Sequence, residues 1–108
     1  MSTPILISEL DTTVQELRLE THHRAFTKKL AHIVSQLGAL TDAAPLGFGQ
    51  DGMLRLRQLA DETVDAVERR IDSGSDSDES QQQLAGTIYE IRRRMETIEM
   101  LFRRGQQS

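Results

Sequence analysis

Leu17-Arg18-Leu19-Glu20-Thr21-His22-His23-Arg24-Ala25-Phe26 is the stretch on which the fold of this chain turns. Upstream of it, Leu10, Val14 and Leu17 fall on one helical stripe, extended by Thr21 and Ala25. Downstream, Leu19, Phe26, Leu30, Ile33, Leu37 and Leu40 form a second stripe. At ~100° per residue the two stripes point to nearly opposite sides, about 170° apart. The polar run from Glu20 to Arg24 sits at the changeover and holds neither proline nor glycine. With no strong breaker present, the pattern predicts one long helix over about 8–37, with ends good to ~2–4 residues. Its carboxyl half would pack in its own subunit, and Leu10, Val14 and Leu17 would reach toward another. Thr3-Pro4, or Ser8 with Asp11, supplies the helix start.

The segment best placed to cover that helix is Leu84 to Phe102. Leu84, Ile88, Ile91, Met95, Ile98 and Phe102 recur at alternating steps of three and four, which makes a coiled-coil-like seam. Glu90–Arg94 and Glu99–Arg103 stand on its outer side in the favourable i, i+4 order. A further stripe, Met53, Leu56, Ala60, Val64, Val67 and Ile71 with Leu59 on its shoulder, predicts a helix over about 53–71. Asp65–Arg69 is another i, i+4 pair, and Arg69 and Arg70 suit the negative end of the helix dipole.

Two stretches read as loops. Residues 41–52, TDAAPLGFGQDG, are rich in glycine and carry a proline, with Phe48 placed as a lid over the bundle end. Residues 72–80 hold only serine, glycine and acids, a plain linker whose later residues can cap the last helix, over about 82–104. These serines in acidic surroundings also suit an acidophilic kinase. The layout is a single helical domain over 1–108: all-α, an up-down three-helix bundle with a long first helix. Because three such stripes make a thin core, self-association into a dimeric bundle would complete it.

Composition narrows the function. A formal net charge of −4 argues against a protein that neutralises a phosphate backbone. Arg92-Arg93-Arg94 and Arg103-Arg104 are interleaved with Glu90, Glu96 and Glu99, as on a solvated, salt-bridged face. The absence of cysteine excludes disulfides, thiolate metal sites and cysteine nucleophiles. No apolar run approaches the ~18 residues of a membrane span, and the amino end lacks the basic region of a signal peptide. A cytoplasmic protein with no nucleic-acid or membrane partner is the expectation.

Three constellations could carry chemistry. Glu20-Thr21-His22-His23 contains Glu-x-x-His, the ligand pair of ferritin-like di-metal bundles, with Glu16 one turn earlier; a symmetric dimer would have to supply the second half. Ala31-His32-Ile33-Val34-Ser35-Gln36-Leu37-Gly38-Ala39 resembles the active helix of histidine-containing phosphotransfer domains. That resemblance implies an exposed His32 carrying a phosphoryl group between partner proteins, although Ser35 and Gln36 stand where the family has lysine and glycine. A long helix with two shorter ones in an intertwined dimer also resembles the chorismate mutase architecture. There Arg18, Lys28, Arg55 and Arg57 would converge on a dicarboxylate.

The reading that needs the fewest additions is a non-enzymatic protein–protein interaction module, an adaptor, regulatory or assembly subunit. It would act as a homodimer or higher homo-oligomer through Leu10, Val14 and Leu17, with no cofactor and a further protein partner. Phosphotransfer through His32 is the first alternative. A metal site at Glu16, Glu20 and His23 is the second.

Overall fold

The computed structural model describes residues 3–43, 49–74 and 76–107, and every regular element among them is a helix. There are four: α1 (Thr3–Leu19), α2 (His23–Ala43), α3 (Gln50–Asp72) and α4 (Asp78–Gln107). The single long helix over 8–37 is therefore corrected to two, and the three-helix bundle to a four-helix one.

The break lies in the polar run. Glu20 N–H donates to Leu17 C=O at 3.1 Å and closes the last turn of α1. His22 C=O accepts from Phe26 N–H at 2.8 Å and opens α2. Between them the Glu20 carboxylate receives His22 N–H at 3.2 Å and Lys29 Nζ at 2.8 Å, so a side chain satisfies a backbone group that a continuous helix would have paired. The opposed stripes then make sense within one subunit. Once the chain reverses, both faces turn toward the same interior.

Leu10, Val14 and Leu17 are spent there, at 1%, 0% and 0% exposure, which removes the basis for an intersubunit patch made of them. They meet Phe26, Leu30, Ile33, Leu37 and Leu40 from α2 and Leu56, Leu59, Val64 and Val67 from α3. Leu84, Ile91, Met95 and Ile98 come from α4, with Ile88 and Phe102 half-buried at the margin. Burying each such side chain contributes roughly 1.5–3 kcal/mol. Leu19, read with the second stripe, is instead 83% exposed, because α1 stops there and leaves it outside. Among the described residues the two buried polar ones, Thr13 and Thr63, donate their hydroxyls to Glu9 C=O at 3.1 Å and Leu59 C=O at 2.8 Å.

α1 packs on α2 and α3, and α4 packs on the same two, so α2 and α3 occupy diagonal corners. α1 and α3 run in the same direction: Asp11 meets Arg55, Arg18 meets Glu62, and Thr21 meets Arg70. α4 runs against α3, with Glu99 on Arg57 and Arg92 on Glu68. The chain is thus two antiparallel hairpins laid side by side, and both hairpin links fall at one end.

The remaining boundaries shift modestly. α2 continues to Ala43 and α3 starts at Gln50, so helix claims both ends of the 41–52 loop, while Phe48 lies outside the described residues. α4 spans Asp78–Gln107 rather than 82–104, since Ser77 Oγ accepts from Ser80 N–H at 3.2 Å and starts the helix early. No helix is long and apolar enough to cross a membrane among the described residues.

Candidate functional site

The two hairpin links are joined by Arg70, which the last turn of α3 delivers to the end of the bundle. Its Nη1 donates to Thr21 C=O at 2.8 Å in the first link, and Nε and Nη2 donate to Asp76 Oδ2 and Oδ1 at 3.0 and 3.1 Å in the second. The guanidinium also lies over the Phe26 ring, 5.6 Å from its centroid. The Asp76 side chain is only 5% exposed and that of Arg70 15%, so this fork-to-fork pair is screened little by water. Hydrogen bonding to Arg70 holds the Asp76 carboxyl below the usual carboxylate range, against the opposing effect of burial. His23 Nδ1 stands 3.1 Å from Asp76 Oδ1, an ion pair when the ring is protonated and poorly aligned as a neutral hydrogen bond.

Beside this junction, between the carboxyl ends of α1 and α3, opens a cleft of about 680 Å³. Leu17, Phe26 and Ala66 give it an apolar floor, Leu19 stands at its mouth, and Arg18 and Arg69 rise from opposite walls. Arg18 reaches Glu62 at 3.4 Å, and Arg69 reaches Asp65 at 3.1 Å. A volume of this size falls within the ~300–1,000 Å³ of small-molecule sites.

The residues singled out from sequence are scattered around this frame. Glu20 lies in the link rather than on a helix, so the i, i+3 spacing of a helical Glu-x-x-His pair does not form. Its carboxylate, held low chiefly by the Lys29 hydrogen bond and then by His22 N–H, is already engaged. His23 faces Asp76, and Glu16 is exposed on α1. Among the described residues no three His, Asp or Glu side chains are gathered to hold a metal ion. Arg18, Arg55 and Arg57 each face an acid on another helix, Glu62, Asp11 and Glu99, and Lys28 is exposed on α2, so the four do not converge. Glu99, read as a partner of Arg103, pairs instead across to α3. His32 is exposed on the outer face of α2, one turn after Lys28.

Sequence reading missed both the Arg70 junction and the cleft. Arg70 looked like a cation at a helix end, and Asp76 like one acid in a linker. The available signal was the phase reversal at residues 20–24, which brings the first link to the level of the second. No protein-family model, curated protein or solved structure matches the chain.

Proposed function

We propose that the protein is a non-enzymatic helical interaction module, an adaptor, regulatory or assembly subunit that acts as a homo-oligomer. The observation that carries this reading is an uneven exterior. On α2, Arg24, Lys28 and His32 follow one another at four-residue steps, all exposed, and Asp42 is the only acid of the helix. On α3, at the diagonal corner, five acids, Asp51, Asp61, Asp65, Glu68 and Asp72, are exposed against two exposed bases, Arg57 and Arg69. A second copy can therefore present its acidic corner to the basic corner of the first, in a head-to-tail contact that leaves one of each free. Exposed ion pairs contribute about 0–1 kcal/mol each, so the association is weak and weakens further with salt.

Sedimentation velocity at low and high salt tests it, together with charge-swap mixing. Arg24→Glu with Lys28→Glu should sediment as a monomer, and so should Asp61→Lys with Asp72→Lys, while their mixture associates. Monomeric wild type at low salt, or a mixture that stays monomeric, would sink the proposal.

The exposure of His32 favours a second reading, phosphotransfer between signalling proteins. His32 stands clear of the core with Lys28 and Lys29 one turn before it, Lys29 being bound to Glu20, and Ser35 supplies a hydroxyl in place of the family's lysine. Incubation with a phosphorylated receiver domain should label the wild type and leave His32→Gln unlabelled. Absence of label on the wild type removes this reading.

A further inference from the structure

We propose that the cleft between the ends of α1 and α3 binds a small amphipathic carboxylate, its charge between Arg18 and Arg69 and its hydrocarbon on Leu19, Phe26 and Ala66. Three observations combine in one place. Arg18 and Arg69 line the same opening from separate helices, Arg18 tethered to the half-buried Glu62 and Gln15 and Arg69 to the exposed Asp65. Arg69 is 76% exposed, and Asp65, its one charged partner among the described residues, is 55% exposed. Such contacts are readily exchanged for a ligand carboxylate, which matches the planar fork of a guanidinium.

The apolar half of the site is equally specific. Leu19 keeps 83% of its surface in water, the highest figure among the large apolar side chains of the described residues, and it stands at the mouth of the cleft. An acyl chain laid between Leu19 and the floor would remove that surface from water. Of the acids around the cleft, Asp65 is the one a ligand carboxylate displaces from Arg69, and the others are engaged elsewhere. Glu20 is bound to Lys29 and His22 N–H, and Asp76 is closed under Arg70. Charge and grease lie side by side, so a ligand carrying only one of them gains only half of the contacts.

Octanoate is the probe, with acetate and 1-octanol as controls of equal charge and equal chain length. Amide chemical shifts of the full chain, titrated by NMR, should move and saturate with octanoate, and the moving amides should cluster at residues 17–26 and 65–70. Acetate and octanol should bind at least tenfold more weakly. Arg69→Gln, on an exposed side chain that leaves the fold intact by circular dichroism, should weaken octanoate binding about tenfold, and Arg18→Gln similarly. Ala66→Phe should block the cleft. No saturable shift, shifts centred elsewhere, equal binding of octanol, or an Arg69→Gln variant that binds like wild type would each overturn the proposal.

Discussion

Arg70 holds the carboxylate of Asp76 from two nitrogens, Nε at 3.0 Å and Nη2 at 3.1 Å, with both side chains largely withdrawn from water. The same guanidinium donates to Thr21 C=O, so one residue of α3 fastens the link before α2 and the link before α4. Breaking a buried pair by removing one partner leaves the other charge uncompensated, at a cost of about 3–5 kcal/mol. This pair is half-buried at the bundle end, so Arg70→Ala should cost less, about 1–3 kcal/mol in urea unfolding. The double variant with Asp76→Ala should lose less than the sum of the two single variants. Additive losses would mean that the two residues act separately.

The pH dependence of stability follows from the same contact. Asp76 and Asp11 are both held low in the folded state, by hydrogen bonds from Arg70 and Arg55 respectively. A folded value below the unfolded one gives stability that is present at neutral pH and is lost as pH falls, from about pH 5 downward through the folded value. Asp76→Asn should be less stable than wild type at pH 7 and show a shallower decline toward pH 3. Parallel curves for the two proteins would show that Asp76 does not contribute.

Leu17→Ala should cost about 2–5 kcal/mol, as for any fully buried leucine. Leu10→Glu with Val14→Glu should abolish cooperative unfolding, since two carboxylates would enter a closed core. A soluble, folded double variant would instead place these residues at a dispensable surface. Circular dichroism through a thermal ramp separates the two outcomes.

Two glycines should respond in opposite directions to alanine. Gly86 sits inside α4 with nothing within 4 Å of the point where an alanine methyl would stand, so Gly86→Ala should stabilise by roughly 0.5–1 kcal/mol. Gly74 has φ +67°, and Gly74→Ala should destabilise by about 1 kcal/mol. Chemical denaturation of the two variants checks both signs.

The apolar stripes of all four helices were legible in the sequence, because Leu10 to Leu17, Phe26 to Leu40, Met53 to Val67 and Leu84 to Ile98 repeat at helical spacing and each buries the face it shows. The hidden part was the turn. Breaks are read from glycine and proline, whereas here a glutamate side chain caps the link in their place. The 170° phase reversal was visible, but it fits a helix serving two subunits as well as a helix folded back on itself, and local sequence does not choose between them. The Arg70 junction and the cleft were illegible for the same reason: both exist only after the two links meet.

The chain reversal at residues 20–22 is therefore the point to measure. The protein has no cysteine, so Ser8→Cys with Ser35→Cys gives a clean pair of spin labels at two exposed positions on α1 and α2. Pulsed electron paramagnetic resonance, with labelled chain diluted into unlabelled chain, reads the distance within one molecule. Two packed helices predict about 20 Å, from an interaxial spacing of ~8–10 Å plus the outward label arms. A peak near 40 Å, the span of 27 residues of unbroken helix at ~1.5 Å each, would contradict the hairpin.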